Sequence, residues 1–130
     1  MSRAEEVDRV FLPIAQAVEQ FAMEHALRLD KCARGNAGWE LTRSHDRGGD
    51  FFLLLLYDGT LGLGIGSVWQ FPCPEMSLQY SHFRPVRPCP LEPDAVTATL
   101  AAEMRELANV PFGYWTHLRP LQQTPSEDSA

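Results

Sequence analysis

The sequence is poor in positive charge, in cysteine and in long apolar runs. Its 130 residues carry 17 Asp or Glu against 11 Lys or Arg, for a net charge of -6, and that sign disfavours a phosphate backbone as the main partner. The longest apolar run, residues 51–57, has seven residues, whereas a transmembrane helix needs ~20. The amino terminus lacks the apolar segment of a secretory signal. We therefore expect a cytoplasmic protein that binds neither nucleic acid nor a membrane.

Cysteine occurs three times, as Cys32, Cys73 and Cys89. The odd number and the lack of a C-x-x-C spacing argue against a disulfide framework and against a zinc site. Cys73 and Cys89 each lie between two prolines, but a hairpin would hold them roughly 25–30 Å apart at ~3.4 Å per residue, too far for a disulfide. No metal or cofactor is expected.

The first thirty residues are typical of a helix. Ser2 and Glu5 have the spacing of a capping box, and apolar residues recur every three or four positions from there to about Leu29. Pro13 lies inside this pattern. Either the helix kinks there, or a short first helix ends and Pro13 opens a second one.

The middle of the chain predicts an antiparallel sheet. Its four strands are expected at about Trp39–Ser44, Phe51–Tyr57, Thr60–Phe71 and Met76–Arg84. Asp58-Gly59 lies between two apolar runs, a pattern that favours a hairpin with a two-residue type I′ turn.

A carboxyl-terminal helix is predicted from Pro93 to Asn109, after a proline-rich extended connection. The apolar segment that follows is expected to pack back on the domain; its members are Val110, Phe112, Tyr114 and Trp115. Residues 122–130 are polar and are expected to be disordered. We predict a single α+β domain over residues 1–121, in which a helix at each end flanks the four-stranded antiparallel sheet in the order α-β-β-β-β-α.

The predicted turn sets the register of the hairpin, with Tyr57 opposite Thr60. One face then gathers an apolar block that is expected against the helices: Phe52, Leu54, Leu56, Leu61, Leu63 and Ile65. The other face combines apolar side chains with a trough of glycines: Phe51, Leu53, Leu55, Gly62, Gly64 and Gly66. Either the glycines let a helix or the carboxyl-terminal segment approach closely, or this face is an apolar groove for a partner chain or a second copy.

The face that the first strand presents depends on the length of the loop after it. Pairing of Ser44 with Asp50 would place Trp39 and Leu41 on the glycine face. Pairing of Ser44 with Phe51 would place them on the core face instead, because a shift of one residue exchanges the two faces. Both alternatives stay open.

Two patterns resemble catalytic motifs. Gly62-Leu-Gly-Ile-Gly66 has the glycine spacing of a dinucleotide site, but it lies within a strand, whereas that site needs a turn from a strand into a helix. Tyr80, His82 and Arg84 alternate along the fourth strand and share a face. A small hydrolase or ribonuclease would use such a histidine as acid or base and such an arginine against phosphate charge; an ordinary polar strand face is the other interpretation.

Several segments together resemble the small acidic α+β immunity proteins that bacteria make alongside secreted or contact-delivered toxins. They are the helix end Phe21-Ala-Met-Glu-His25, the segment Gly38-Trp39-Glu-Leu, the Gly48-Gly49 loop and the strand that contains Trp69. The resemblance implies a cytoplasmic inhibitor without catalytic activity, which binds a cognate toxin and occludes its active site. Nuclease toxins must hold phosphates and are usually basic, so an acidic partner would complement them.

The candidate partner-binding surface joins acidic residues at the hairpin ends with aromatic residues of the sheet. Its members are Asp46, Asp50, Asp58, Glu75, Trp69 and Tyr80. The alternatives are an adaptor or secretion chaperone that forms a homodimer through the glycine face, and the small enzyme built on His82 and Arg84.

Overall fold

A computed structural model of the chain describes residues 2–32, 37–60 and 62–121. Within these residues three helices pack on one face of a six-stranded antiparallel sheet, whose strands lie side by side in sequence order. The helices are α1 (Arg3–Val10), α2 (Leu12–Glu24) and α3 (Pro93–Asn109). The strands are β1 (Arg28–Cys32), β2 (Gly38–Ser44), β3 (Asp50–Asp58), β4 (Gly62–Cys73), β5 (Leu78–Pro88) and β6 (His117–Pro120), with a 3-10 turn at Pro74–Met76 before β5.

The α+β class with an antiparallel sheet is confirmed, but the predicted count of four strands and two helices is wrong. Both edge strands, β1 and β6, were missing from the prediction. They are five and four residues long, and neither Arg-Leu-Asp-Lys-Cys nor His-Leu-Arg-Pro has the strict alternation of apolar and polar residues that indicates a strand. No helix in the described part of the chain is long and apolar enough to span a membrane. The expected disorder of residues 122–130 lies outside the described residues.

The amino-terminal capping box is confirmed. The Glu5 amide donates to the Ser2 hydroxyl at 3.2 Å, and the Ser2 amide donates to the Glu5 carboxylate at 3.3 Å. Of the two alternatives for Pro13, the structure has the second, because α1 ends before Phe11 and Pro13 lies in the first turn of α2. α2 ends at Glu24 rather than near residue 29. The chain then turns at Ala26, which has a φ of 56°, and enters β1.

The predicted two-residue turn between β3 and β4 is wrong. Asp58 pairs with Gly62, so residues 59–61 separate the paired positions, and Gly62 has a φ of 85°. The Thr60 amide donates to the Asp58 carboxylate at 2.7 Å and stabilises the longer loop. Each β3 residue therefore pairs three positions further along β4 than predicted, and an odd shift exchanges the faces that the two strands share.

The corrected register divides the residues of the predicted glycine face. Phe51, Leu53 and Leu55 point to the helices and are buried, next to Ile65 and Trp69 of β4. Gly62, Gly64 and Gly66 lie on the opposite, uncovered face, together with Phe52, Leu54 and Leu56. The apolar block that the sequence places against the helices is split as well. Phe52, Leu54 and Leu56 lie on the uncovered face, Leu63 and Ile65 lie on the helix-bearing face, and Leu61 lies outside the described residues.

Trp39 and Leu41 belong to the core. Ser44 pairs with Asp50, as in the first of the two loop alternatives, and Trp39 and Leu41 pair with Leu55 and Leu53. Because that face is the helix-covered one and not the glycine face, both side chains are at most 1% exposed.

The chain itself occupies the glycine trough on the uncovered face at Gly64 and Gly66, but not at Gly62. A bulge in β5 places two residues, Pro85 and Val86, opposite the single residue Gly66 of β4. A Cβ atom at Gly64 would lie 2.6 Å from Cγ1 of Val86, and one at Gly66 would lie 2.8 Å from Cγ2. The glycines thus allow a close approach, as the first interpretation holds, but the approaching group is a valine of the neighbouring strand.

Candidate functional site

Three of the predicted partner-binding acids meet at one end of the sheet. This loop end is formed by the β2–β3 loop, which contains Asp46, the start of β3 at Asp50 and the 3-10 turn that contains Glu75. Asp58 lies at the far end of the nine-residue strand β3, roughly 26 Å away at ~3.3 Å per residue. The structure therefore places Asp58 apart from the other three acids.

Trp69 cannot be a surface contact, because its side chain is fully buried. The His45 ring stacks on it at a centroid distance of 3.9 Å, and its indole N–H donates to the Gly48 carbonyl at 2.8 Å. Trp69 instead supports the loop of residues 45–49. This corrects its predicted role as an aromatic anchor for a partner.

The same loop is tied to the carboxyl end of α3. The Arg47 amide donates to Nδ1 of His45 at 3.1 Å, so Nε2 carries the proton of the neutral ring and donates to the Leu107 carbonyl at 2.9 Å. The Arg47 guanidinium donates to the Ala108 carbonyl at 2.9 Å. These bonds satisfy carbonyls that a helix end leaves without partners, so His45 and Arg47 have structural roles.

An aromatic surface lies at the loop end, on the helix-bearing face of β4, β5 and β6. After α3 the irregular segment 111–116 crosses these strands, where the helices do not reach. We call this surface the aromatic end; it consists of Phe71, Met76, Tyr80, Phe112, Tyr114, Trp115 and Leu118. Ring centroids of Phe71 and Phe112 are 5.3 Å apart, those of Tyr80 and Trp115 are 5.5 Å apart, and the Tyr80 hydroxyl lies 3.7 Å from the Met76 sulfur.

The aromatic end is open to solvent. Phe112 is 61% exposed, Tyr114 is 65%, Met76 is 59% and Leu118 is 57%. Contiguous exposed apolar side chains of this kind mark interaction sites in soluble proteins. The sequence predicts that the segment around Phe112 packs on the domain, and its contacts with Phe71 bear this out, but exposure is not a property that sequence pattern can show.

Arg84 takes part in a buried ion-pair network. The carboxylate of Glu103, which is fully buried on α3, accepts two hydrogen bonds from Arg84 at 3.0 and 3.1 Å, one from Arg87 at 2.8 Å and one from the Ser67 hydroxyl at 2.7 Å. Burial alone would raise the pKa of Glu103, but the hydrogen bonds from Arg84 and Ser67 and the charges of both arginines outweigh it, so the pKa is lowered. Glu103 is therefore ionised at neutral pH and holds Arg84 in place.

His82 is likewise engaged. It is 6% exposed, and its Nδ1 lies 3.0 Å from the Tyr114 carbonyl, to which it donates. Burial lowers the pKa of His82, the hydrogen bond to Tyr114 partly offsets this, and the charge of Arg84 lowers it further. His82 is therefore neutral at pH 7. As predicted, one face of β5 carries Tyr80, His82 and Arg84. It is the helix-bearing face, where His82 binds the segment 111–116 and Arg84 binds α3.

Comparisons with protein-family models, with curated proteins and with solved structures found no match for this chain. The fold and the side chains define its class: an α+β protein with one uncovered sheet face and an exposed aromatic end. The function has to be inferred from those side chains.

Proposed function

We propose that this chain is a non-catalytic protein-binding protein, and specifically a cytoplasmic immunity protein that binds and blocks a cognate bacterial toxin. The observation that carries the proposal is the aromatic end. Phe112 and Tyr114 are each more than 60% exposed; Phe112 packs on the rings of Phe71 and Trp115, and Tyr114 packs on the His82 ring. Aromatic and methionine side chains are enriched in protein interfaces, and a few aromatic anchors supply most of the binding energy.

The charge around the aromatic end favours a basic partner. Glu75 is exposed at its margin, next to Met76, and Asp46 is exposed in the neighbouring 45–49 loop. Neither of them forms an ion pair with another described residue. Together with the net charge of -6, these carboxylates would steer a basic nuclease toxin towards the aromatic anchors.

The two alternatives differ in what supports them. A small hydrolase or ribonuclease needs His82 and Arg84 to be available, and both side chains are engaged in structural hydrogen bonds. A homodimeric adaptor or secretion chaperone is favoured by the uncovered sheet face, where Phe83 is 39% exposed and Val86 is 48% exposed. The adaptor is therefore the second candidate.

The test is protection of cells from the toxin encoded beside this gene, and binding of the purified pair. We expect Phe112→Ala with Tyr114→Ala to weaken binding by more than ~2 kcal/mol, as truncation of anchor residues does, and to abolish protection. Phe83→Ala on the opposite face is the matched control and should change binding by less than ~0.5 kcal/mol. Lack of any binding or protection by the natural chain would refute the immunity function. Loss caused by Phe83→Ala alone would support the uncovered face instead.

A further inference from the structure

A cavity of about 310 Å³ opens between the carboxyl ends of α2 and α3, above β2 and β3. Phe51, Met104 and Leu107 give it apolar walls, and the arginines Arg43 and Arg105 line it from opposite elements. Its volume is at the lower end of the range of small-molecule sites. The aromatic end lies on the other side of the 45–49 loop, so the two features are separate.

Arg43 is a half-buried cation without a carboxylate partner. Its guanidinium donates to the His25 carbonyl at 2.6 Å and lies 5.4 Å from the centre of the Phe51 ring. No ion pair or further hydrogen bond joins it to another described residue. Buried or partly buried charges in proteins are normally paired, so the remaining N–H donors of Arg43 are available for an anion.

Arg105, an exposed residue of α3, lines the same cavity, and its guanidinium makes no ion pair in the described part of the chain. The other polar groups of the lining are Asp46 at the rim and the imidazoles of His25 and His45. The Leu107 and Ala108 carbonyls at the end of α3 already accept from His45 and Arg47. The lining of this apolar cavity thus includes two arginines and one carboxylate.

We propose that this cavity binds an organic anion, whose carboxylate or phosphate lies between Arg43 and Arg105 and whose apolar body contacts Phe51, Met104 and Leu107. The planar, forked donors of arginine match the oxygen atoms of such anions. Arg43 is held in place before the ligand arrives, which reduces the ordering cost of binding. The inference rests on this cavity and does not require the proposed immunity function.

The first experiment is a two-dimensional amide NMR titration with 4-phenylbutyrate, and with 4-phenylbutan-1-ol as the uncharged analogue. We expect the acid to shift the amide signals of Arg43, Phe51 and Arg105, and to bind at least about tenfold more tightly than the alcohol, because a charge-assisted hydrogen bond supplies such a factor. Equal binding of the alcohol, shifts confined to other parts of the sheet, or no shifts with 20 mM acid would each overturn the proposal. Phenyl phosphate, titrated in parallel, shows whether carboxylate or phosphate is preferred.

The second experiment compares Arg105→Gln with Arg119→Gln, a matched change of an exposed arginine on β6. Arg105→Gln should weaken binding of 4-phenylbutyrate about tenfold and leave the affinity for the alcohol unchanged, whereas Arg119→Gln should alter neither affinity. An unchanged thermal unfolding midpoint confirms that each variant is folded. Equal affinity of Arg105→Gln and the natural chain for the acid would contradict the assignment. N-acetylglutamic acid α-amide carries only a side-chain carboxylate and stands for an acidic protein side chain. Its affinity, compared with that of 4-phenylbutyrate, distinguishes such a side chain from a small organic acid as the natural source.

Discussion

Glu103 brings a carboxylate into the core, at a position where α3 otherwise presents apolar side chains. The buried positions of α3 are Val96, Leu100, Glu103 and Leu107, so the carboxylate continues the apolar stripe at helical spacing. A buried charge is tolerated only if it is paired and fully hydrogen-bonded, and here Arg84, Arg87 and Ser67 meet that need. This network fixes α3 against β4 and β5.

Glu103→Gln tests the network, because it keeps the shape of the side chain and removes its charge. We expect the free energy of unfolding to fall by about 3 kcal/mol, since breaking a buried pair leaves a charge without compensation. Glu106, which lies 3.7 Å from Arg84 and is 60% exposed, is the control, and Glu106→Gln should cost less than ~0.5 kcal/mol. Urea unfolding measures both, and equal losses would show that Arg84 does not depend on the buried partner.

The lowered pKa values of His82 and Glu103 predict that acid destabilises the fold in two steps. When a folded-state pKa is lowered, the unfolded chain binds more protons between the two pKa values, so the stability rises with pH there. Protonation of His82 therefore lowers the free energy of unfolding as the pH falls below the unfolded-state pKa of about 6.5. Protonation of Glu103 does the same as the pH falls below the unfolded-state pKa of about 4.5. His82→Asn, whose amide can still donate to the Tyr114 carbonyl, should remove the first step. Parallel stability curves of this variant and the natural chain between pH 7 and 5 would contradict the prediction.

At the scale of elements, the bulge of β5 and the glycines of β4 form one unit. Val86 reaches over β4 only because Gly64 and Gly66 have no side chains. Val86 in this way fills the trough at Gly64 and Gly66, whereas a Cβ atom at Gly62 would have no neighbour within 4 Å. Leu54 and Val68 beside the trough are only 8% and 2% exposed. The exposed apolar area of the uncovered face is therefore smaller than its residue composition indicates.

Gly64→Ala tests this contact, since its Cβ would lie 2.6 Å from Val86 while the next neighbours are at 3.7 Å or beyond. We expect a loss of about 1–3 kcal/mol from overpacking. In a Val86→Ala background the same change should cost much less, so the two substitutions should be coupled in a double-mutant cycle. Gly59→Ala, with its nearest neighbour at 3.8 Å, is the control. Additive effects of Gly64→Ala and Val86→Ala would rule out the contact.

At the scale of the whole molecule, the β5–β6 edge of the sheet disfavours strand-to-strand association of two copies at that edge. β6 pairs with residues 78–81 of β5, which leaves the rest of that strand with a free edge. Pro85 and Pro88 lie on this edge and Pro120 ends β6, and proline offers no N–H to a further strand. The net charge of -6 adds repulsion between copies.

We accordingly expect sedimentation equilibrium at ~100 μM to give the monomer mass of 14.6 kDa. If the protein is a dimer and Phe83→Asp dissociates it, the homodimeric adaptor is favoured, because Phe83 is on the uncovered face. A dimer that Phe112→Asp dissociates would instead assign the aromatic end to self-association and weaken the immunity proposal. Phe112→Asp and Phe83→Asp are thus matched changes on opposite faces.

Elements with local signals can be predicted from the amino-acid sequence. Hydrogen bonds between Ser2 and Glu5 start α1, and the Pro93–Asn109 helix has the predicted bounds, because capping and helical periodicity act within a few residues. The acidic composition also follows from the chain, but the predicted grouping of Asp46, Asp50, Asp58 and Glu75 was wrong for Asp58, since successive hairpin loops lie at opposite ends of the sheet.

The face that each strand residue occupies, and the polar groups that are available, depend on how the strands pair and pack. One extra residue in the β3–β4 loop reverses the faces, since side chains alternate with a period of two, and this moves Phe51, Leu53 and Leu55 into the core. Trp69 and Phe112 are both aromatic residues near the loop end, yet the first is buried by His45 and the second is exposed. Burial and pairing depend on contacts between residues far apart in sequence, and for that reason the aromatic end, the Glu103 network and the Arg43 cavity emerge only from the folded chain.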